Sequence, residues 1–471
     1  MRIIQMVPSL NYGDAVGNDV LALNHLLQDL GFDTMIYAIN IGARIPDGVA
    51  TYFSKISKLS KEDILIYHMA SGCKVIRDFL LQCSCRKVMI YHNITPQRFF
   101  LPYSRSAALA VQEGFKDLNL LKNAFESCIA VSEFNKQDLR RMGYTCPIAV
   151  LPILVPFEDY DQEPDQEVLS KFGNDDWTNI LFVGRIAPNK CQEDLISAFL
   201  TYKTLYNPNS RLLIVGNYDG MEAYYDRLQT YAEELGVTDV YFTGHISFKS
   251  ILAYYHLADV FLCMSEHEGF CVPLLEAMKF DVPIVAYSST AIPYTLGDSG
   301  IKFTKKDPDL AAAIIDETVC NKKLQNHILM NQRKRLEYFQ YDNIARLAEQ
   351  VIMQLAKHED IDNNIKNVET QNITCDSNVE QLLPGIEEKI ASHQTGEMAK
   401  SFKDIPVILR RKSGRSFVRN YYEQINSQSG VKAFIKKRLF GNLLNVLMEQ
   451  EEYLAEMEER LAELEKRLDD L

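Results

Sequence analysis

The chain has 471 residues, of which 47% are hydrophobic and 24% charged, and its formal net charge is −13. This length exceeds one ordinary core and predicts two or three domains in a soluble globular protein. The negative charge disfavours wholesale nucleic-acid binding, and no apolar run approaches the ~18 residues that span a bilayer.

The N-terminal stretch, MRIIQMVPSLNYGD, has one arginine, a short apolar run and then a proline. It lacks the long apolar core and the small-residue cleavage site of a signal peptide. We interpret it as a first β-strand that starts at residue 2 or 3. The chain is therefore expected to stay in the cytoplasm.

Residues 1–155 alternate short apolar runs with helix-period stretches such as GNDVLALNHLLQDLGF. The predicted strands are RIIQMV, DTMIYAI, DILIYHM, KVMIYHN, SCIAVS and IAVLPI. Nearly continuous apolar strands separated by helices indicate a parallel sheet covered on both faces. Residues 1–155 are thus predicted to form a Rossmann-like, doubly wound α/β domain.

Ten cysteines are scattered along the chain, and Cys83 and Cys85 form a C-x-C pair with no second pair at metal spacing. Free thiols in a reducing compartment are preferred to a zinc site or a disulfide framework.

The acidic stretch Val155–Trp177 contains two prolines and is interpreted as a linker. Its Asp159 and Asp161 have D-x-D spacing, which can bind a metal, but a solvated linker is preferred. The α/β alternation then restarts with TNILFVGRI, RLLIVGN, VYFTGHI, DVFLCMS, VPIVAYS and GIKFT. Residues 178–335 are therefore predicted to form a second doubly wound domain, with a ligand-binding cleft between the carboxyl ends of the two sheets.

The composition changes after a helical stretch at 336–356. Residues 357–400 are polar and predict a flexible linker. Residues 396–440 hold eleven Lys/Arg and three Asp/Glu, whereas residues 441–471 hold three Lys/Arg and ten Asp/Glu. The basic segment, 401–440, has three interpretations: it docks on an anionic membrane surface, binds an acidic partner protein, or is a solvated linker.

An apolar heptad pattern begins at residue 440 and continues through residues 441–471. One series is Phe440, Leu447, Leu454, Leu461 and Leu468, and the other is Leu443, Gln450, Met457, Leu464 and Leu471. This pattern predicts a coiled coil that joins copies of the chain or a partner protein, with the polar Gln450 helping to set register. A single amphipathic helix packed on the body is the alternative.

Two glutamates flank the segment GFCVPLL after a buried strand. Glu268 and Glu276 are eight residues apart, which in a helix is ~12 Å. This exceeds the ~5–9.5 Å that separates an acid and base acting on one glycosidic bond. We interpret them as groups that grip two parts of one long ligand, with Gly269 allowing close backbone approach and Pro273 starting a helix whose N–H groups favour an anion.

The loop FVGRIAPNK follows the first strand of the second predicted domain. It carries Arg185 and Lys190, with Gly184 giving room. Two cations on one strand-to-helix loop fit a diphosphate, although two solvated surface cations would fit equally well if the loop stood alone.

These stretches together resemble a known family. GRIAPNK, LLIVGN, VYFTGHIS and SEHEGFCVPLLEAM, in this order, are similar to the donor half of the retaining GT-B glycosyltransferases of family 4, whose signature is E-x7-E. The resemblance covers about residues 1–356 and is strongest from 178 to 290.

The resemblance implies roles for the donor half. Arg185 and Lys190 would hold the donor diphosphate and stabilise the leaving nucleotide, Glu268 would face the sugar, and Glu276 would bind ribose hydroxyls. Further donor contacts would come from main chain, at Gly244, His245 and Ile246 for the base, and at Gly269, Phe270, Cys271 and Val272 for sugar and phosphate. The 336–356 helix would cross back to the first domain.

In the first domain, His92 matches the family's histidine near the anomeric carbon. His68 would line the acceptor pocket, or it is structural. The loop NYGDAVGND resembles the family's glycine-rich loop, but Gly13, expected at the donor, and Gly17 are separated by three residues. In this loop Asp14, Asn18 and Asp19 would bind acceptor hydroxyls, or they cap the following helix.

The implied reaction is transfer of a sugar from a nucleotide-diphosphate sugar to a glycan or lipid-linked acceptor with retention, as in bacterial surface polysaccharide synthesis. It would need neither a metal nor a further cofactor, because the cations and the helix N-terminus stabilise the leaving group. The alternatives are a sugar-nucleotide epimerase or phosphorylase on the same architecture, and a catalytically quiet scaffold that acts through its tail. The sequence does not specify the sugar, the base or the acceptor.

Overall fold

The structure, a computed structural model, describes residues 1–361 together with Ile386 and Ile390. The predicted flexible linker lies almost wholly outside the described residues, and the basic segment and coiled coil lie wholly outside them. Among the described residues, no helix combines the length and hydropathy needed to cross a membrane. The nine cysteines of this part of the chain are free thiols.

The first sheet has seven parallel strands in the spatial order β3-β2-β1-β4-β5-β6-β7. They are β1 Arg2–Leu10, β2 Asp33–Ile41, β3 Ala50–Tyr52, β4 Ile64–Met69, β5 Arg86–Tyr91, β6 Ser127–Ala130 and β7 Ile148–Val150. All six predicted strands of this region are present. The sequence did not predict β3, a three-residue edge strand whose ATY segment has no apolar run.

The second sheet has six parallel strands in the order β10-β9-β8-β11-β12-β13. They are β8 Thr178–Val183, β9 Ser210–Val215, β10 Val240–Phe242, β11 Val260–Cys263, β12 Ile284–Tyr287 and β13 Ile301–Phe303. Each corresponds to a predicted apolar run, and only β9 begins outside its run, one residue earlier, at Ser210. We call the part built on the first sheet the N-terminal domain and the part built on the second the C-terminal domain.

Helices cover the sheets and supply the parallel crossovers. They are α1 Ala15–Asp29, α2 Lys74–Gln82, α3 Arg105–Leu121, α4 Glu133–Arg141, α5 Gln166–Phe172, α6 Gln192–Leu205, α7 Glu222–Glu234, α8 Phe248–Leu257, α9 Val272–Lys279, α10 Ile292–Leu296, α11 Pro308–Cys320, α12 Lys322–Tyr338 and α13 Tyr341–Ala356. The buried faces of β1 and β4 join those of β8, β9 and β11 in one large apolar cluster. The two sheets therefore share apolar packing.

The stretch predicted to be a linker instead contains α5, which packs in the C-terminal domain. Its N-cap Asp165 accepts a 2.8 Å hydrogen bond from the Ser250 hydroxyl of α8. Phe172 is only 3% exposed, and Val168 packs beside it on the large cluster. Val168 and Phe172 thus dock one face of α5 on the domain, while Glu167 and Lys171 remain exposed.

The single helix predicted at 336–356 is divided between two helices in the structure. Its first residues belong to α12, which ends at Tyr338, and the rest form α13, which begins at Tyr341. The end of α13 reaches the N-terminal domain, where Arg86 of β5 donates a 2.6 Å hydrogen bond to the Leu355 carbonyl. Ala348 and Val351 are fully buried in the cluster that also contains strand residues of the first sheet. The helix thus connects the two domains.

Asp19 of α1 carries a buried carboxyl group. It is 6% exposed and accepts a 2.9 Å hydrogen bond from the Leu154 main-chain N–H. Burial raises the pKa of Asp19 to about 7, and the Leu154 hydrogen bond opposes that rise only partly. The ionised form is therefore disfavoured in the folded protein.

We expect Asp19→Asn to stabilise the protein more at pH 8 than at pH 4. In the wild type the folded state holds this proton up to about pH 7, whereas the unfolded chain releases it near its usual pKa of about 4. Stability contributed by the protonated form is thus lost as the pH rises through this window, by an amount on the order of a few kcal/mol, and asparagine avoids the loss. Urea unfolding from pH 4 to 8 measures it, and parallel pH profiles of the two proteins would contradict it.

Candidate functional site

A cleft of about 240 Å³ lies where the two domains meet. Both domains contribute to its walls, with His92, Asn93, Thr95 and Phe100 on the N-terminal side and Arg185, Ala187, Asn189, Lys190, His267, Glu268 and Gly269 on the C-terminal side. Four residues predicted to act at one site, Arg185, Lys190, Glu268 and His92, therefore line the same cleft.

Lys190 and Glu268 form an ion pair in this cleft. The Lys190 ammonium donates to both carboxylate oxygens, at 2.6 and 2.7 Å. The Glu268 side chain is 8% exposed and that of Lys190 is 22% exposed. Burial lowers the pKa of Lys190, whereas the Glu268 carboxylate, together with Cys271 and Cys263, raises it, and the net shift is upward. The pair therefore holds a charged ammonium at a fixed place in the cleft.

The loop that carries Arg185 and Lys190 is anchored to the loop that carries Glu268. Asn189 donates a 2.9 Å hydrogen bond to the His267 carbonyl, and its own carbonyl accepts one from the Glu266 N–H at 2.9 Å. Asn189 lies within the FVGRIAPNK loop but carries no charge, and it was not predicted to act at the site. These two bonds explain why Lys190 meets Glu268 although 78 residues separate them.

Arg185 is exposed at the start of the same loop. Its guanidinium donates a 3.0 Å hydrogen bond to the Asp219 carbonyl, and the exposed side chain has further N–H groups that can donate. The residue before it, Gly184, packs closely against Gly216 of the next loop. A Cβ on Gly216 would lie 2.0 Å from the carbonyl oxygen of Gly184. Glycine at position 216 is thus required for the two loops to pass each other.

Gly269 allows the two domains to touch. A Cβ at this position would stand 2.4 Å from the His92 carbonyl oxygen and 2.7 Å from the Asn93 Cβ. The close approach predicted for this glycine is therefore made by the N-terminal domain. The Glu268 N–H donates a 2.8 Å hydrogen bond to the Thr290 hydroxyl, which fixes the main chain just before Gly269.

The rest of this stretch leads into α9. Phe270 is buried, Cys271 has a left-handed conformation with φ of 74°, and Val272 is the first residue of the helix. Pro273 lies in the first turn, as expected. Residues 269–271 thus connect Glu268 directly to the N-terminus of α9.

Glu276 lies inside α9 and is engaged by two tyrosines. Its Oε1 accepts a 2.7 Å hydrogen bond from Tyr160, and its Oε2 accepts a 2.6 Å bond from Tyr255. Burial raises the pKa of Glu276, against the effect of the two hydroxyl groups. It is not among the residues that line the cleft, whereas Glu268 is. Neither tyrosine was singled out from sequence, since each lies more than 15 residues from Glu276.

His92 and His68 are neighbours in the N-terminal domain. His92 lines the cleft, whereas His68 is fully buried behind it and does not line it. Nδ1 of His68 lies 3.0 Å from Nε2 of His92, and Nε2 of His68 lies 2.9 Å from Oε1, the side-chain amide oxygen of Gln5. The structure thus favours the structural alternative for His68 over the acceptor-pocket one.

The polar residues of the first loop are engaged locally. Asp14 is the N-cap of α1 and accepts a 2.7 Å hydrogen bond from the Gly17 N–H, while Asn18 accepts a 3.0 Å bond from the Gly13 N–H. The capping alternative therefore describes Asp14, and Asn18 stabilises the same loop.

The loop predicted to lie against a base follows β10. Gly244 has φ of 65° and forms an isolated bridge with Gly216. His245 is exposed, and Ile246 is half-buried against the large apolar cluster. This loop thus adjoins the loop that carries Arg185.

Three clusters among the described residues have spacing that could hold a metal ion: Asp19–His68–His92, Cys263–Glu268–Cys271 and Cys191–Asp194–Glu266. In two of them a lysine already neutralises the acids: Lys190 pairs with Glu268, and Lys306 pairs with Asp194 at 2.6 Å and with Glu266 at 3.2 Å. Asp159 and Asp161 belong to none of these clusters, and Asp161 pairs with Lys279 at 2.8 Å. That the reaction needs no metal stays a prediction.

Residues 165–335 match the sequence model of a family described as Glycosyl transferases group 1. One curated relative is the O-antigen chain mannosyltransferase B of Escherichia coli, 27% identical over 209 residues, which are 42% of this chain and 53% of the relative. Another is the lipopolysaccharide 1,2-N-acetylglucosaminetransferase of Salmonella typhimurium, 26% identical over 250 residues, which are 49% of this chain and 65% of that protein. The matches thus span less than two thirds of either relative.

Solved structures share the two-domain fold at low sequence identity. Sucrose-phosphate synthase from Thermosynechococcus elongatus superposes with a TM-score of 0.60 at 17% identity, covering 76% of this chain and all of that one. Anabaena Alr3699/HepE in complex with UDP-glucose superposes with a TM-score of 0.59 at 16% identity, covering 75% of this chain and all of that one. The fold of these proteins, two parallel-sheet α/β domains, is the fold of residues 1–361.

Proposed function

We propose that this chain is a retaining glycosyltransferase of GT-B type and family 4 that moves a sugar from a nucleotide-diphosphate donor to a glycan or lipid-linked acceptor. The observation that carries the proposal is the cleft in which Arg185, the Lys190–Glu268 pair and His92 converge from two domains. The family match over 165–335 and the transferases among the relatives support the same activity. Relatives named for O-antigen and lipopolysaccharide favour a role in bacterial surface polysaccharide synthesis.

The proposed chemistry uses charges that are already in place. A departing nucleoside diphosphate gains negative charge, and Arg185 and Lys190 stand where they can stabilise it. Glu268 orients Lys190 and faces the transferred sugar. With retention, the acceptor hydroxyl attacks from the face that the phosphate leaves, and the departing phosphate oxygen takes the hydroxyl proton.

The decisive experiment incubates the full chain with a panel of nucleotide sugars and with glycan and lipid-linked acceptors. Transfer is followed by release of nucleoside diphosphate, and the anomeric configuration of the product is read by NMR. We expect transfer with one donor and retention of configuration. An inverted product contradicts retention, and donor epimerisation or phosphorolysis without transfer contradicts the proposal as a whole.

Arg185→Met is expected to weaken binding of the nucleoside diphosphate while leaving the fold intact. Arg185 is exposed and makes one hydrogen bond, to the Asp219 carbonyl, so its loss removes little packing. A charged hydrogen bond to phosphate contributes about 1.5–3 kcal/mol, which predicts about 10- to 150-fold weaker binding. Isothermal titration with UDP and GDP measures the change.

The matched control for this substitution is Arg346→Met, because Arg346 is also exposed but lies on α13. It should bind both nucleotides as the wild type does. If Arg185→Met binds UDP and GDP as tightly as the wild type does, Arg185 does not bind the diphosphate.

A further inference from the structure

The loop that carries Arg185 and Lys190 is closed by a buried glutamine at the start of α6. Gln192 is fully buried, and its side-chain amide reaches back seven residues to the main chain of Arg185. The Arg185 carbonyl can only accept, so the group that faces it at 3.0 Å is the amide nitrogen, Nε2, of Gln192. This hydrogen bond ties the two ends of the loop together and limits how far its two cations can move apart.

A tyrosine of α7 fixes the main chain of the same glutamine. The Tyr224 hydroxyl accepts a 3.2 Å hydrogen bond from the Gln192 N–H and donates one to Oε2 of Glu193. Tyr224 is fully buried, and burial raises its pKa well above the usual value, so the hydroxyl keeps the proton that it donates. Because this hydroxyl both accepts and donates, it holds the start of α6 in one place relative to α7.

The N-terminal domain contributes one aromatic ring to this arrangement. Tyr103 precedes α3, and its ring meets the ring of Tyr224 edge to face, with the centroids 4.9 Å apart and the planes at 62°. The Tyr103 N–H donates a 2.9 Å hydrogen bond to the carbonyl of Phe100, which lines the cleft. Edge-to-face pairs are stabilising beyond the burial of the two rings. The position of Tyr224 therefore depends in part on contact between the domains.

We infer that Gln192, Tyr224 and Tyr103 are positioning residues that hold the Arg185 loop in place for the donor diphosphate. The inference rests on the proposed function, in which Arg185 and Lys190 bind this diphosphate. None of the three positioning residues lines the cleft. Each acts through the next, from the Tyr103 ring to Tyr224, then to Gln192 and the Arg185 carbonyl. Because Tyr103 belongs to the other domain, the loop is fully held only while the domains are in contact.

Hydrogen exchange of the ligand-free full chain, followed by mass spectrometry, tests the positioning without any donor. The peptide that spans residues 184–191 contains the Ile186 N–H, which donates a 2.9 Å hydrogen bond to the Asn217 carbonyl. We expect this peptide to exchange about two- to tenfold faster in Gln192→Met and in Tyr103→Leu. Loss of one hydrogen bond or of one aromatic contact shifts a local opening equilibrium by about that factor.

The C-terminal domain offers matched controls. Gln332→Met is the control for Gln192→Met, because Gln332 is equally buried and binds main chain through both ends of its amide. Tyr231→Phe is the control for Tyr224→Phe, because Tyr231 lies on the same helix, is also buried, and has its hydroxyl 2.7 Å from the Ser197 hydroxyl of α6. Both controls should keep the wild-type exchange rate of the loop. Equal acceleration in a variant and its control would overturn the inference, because it would show a general loosening of the domain.

Titration calorimetry with UDP, GDP, ADP and dTDP connects the positioning to the diphosphate. We expect Gln192→Met to weaken binding of the preferred nucleotide about three- to tenfold and Gln332→Met to leave it unchanged. In an Arg185→Met background the effect of Gln192→Met should be smaller, because only Lys190 then remains to be positioned. A weakening by the same factor in both backgrounds would overturn the inference, since Gln192 would then act independently of Arg185.

Three further results are informative. An unchanged exchange rate of the loop in Gln192→Met, or wild-type affinity of that variant for the preferred nucleotide, would overturn the inference alone. An unchanged rate in Tyr103→Leu would overturn the contribution of the N-terminal domain. If the wild-type chain binds none of the four nucleotides, the proposed function is contradicted and the inference fails with it.

Discussion

Lys190→Met is expected to lower kcat/KM for sugar transfer by about 10²–10³-fold. The Lys190 ammonium is held against both oxygens of Glu268 at 2.6 and 2.7 Å and is a fixed positive charge at the cleft. Removing one preorganised group that stabilises transition-state charge has an effect of this size. Release of nucleoside diphosphate under steady-state conditions measures the loss.

Stability must be separated from catalysis in this variant. Lys190→Met leaves the Glu268 carboxylate, 8% exposed, without its partner, which for a buried pair costs about 3–5 kcal/mol and less here because Lys190 is partly exposed. Adding Glu268→Gln removes the unpaired charge. The double variant should therefore recover most of the unfolding free energy but none of the activity, and recovery of both would mean that Lys190 acts only through stability.

Arg77→Met is expected to destabilise the N-terminal domain by about 3–5 kcal/mol. Arg77 is 5% exposed, and its Nη1 lies 2.5 Å from the carboxylates of both Asp117 and Glu113 on α3. Asp117 is fully buried and also accepts a 2.7 Å hydrogen bond from the Cys73 N–H at the start of α2. Without the guanidinium, a buried carboxylate would remain unneutralised between the two helices.

Urea unfolding of three variants tests this prediction. Arg333→Met is the matched control, since Arg333 pairs with Asp281 at 2.7 Å but both side chains are about half exposed, and such pairs contribute about 0–1 kcal/mol. Adding Asp117→Asn to Arg77→Met should restore part of the loss, because asparagine can still accept from Cys73 without carrying charge. A loss below 1 kcal/mol in Arg77→Met would refute the predicted role.

The sheets could be predicted from sequence because each long strand is a continuous apolar run. Twelve predicted runs correspond to strands, while β3 has no such run and α5 has too few apolar residues to stand out from its acidic surroundings. The motifs also placed Arg185, Lys190, Glu268 and His92 at one cleft. Each successful prediction, of a strand or of a site residue, relied on a pattern within one short stretch of the chain.

Pairings across the fold could not be predicted in the same way. The Lys190–Glu268 contact, the tyrosines on Glu276 and the Gln5–His68–His92 chain all join residues that are far apart in sequence. Such contacts depend on how loops from different strands pass one another, which no spacing within one motif specifies. The tyrosine and glutamine partners carry no motif of their own, so only the fold reveals them.

Gly269 has a consequence for the order of events in a reaction cycle. Its contact with His92 and Asn93 means that the two walls already touch, and the cleft of about 240 Å³ is smaller than the ~300–1,000 Å³ typical of ligand pockets. If the donor is the proposed nucleotide sugar, this cleft is too small to enclose it, and we expect the domains to part before it binds. Association should then be slower than diffusional encounter and limited by a hinge movement, and donor dissociation must wait for the same movement.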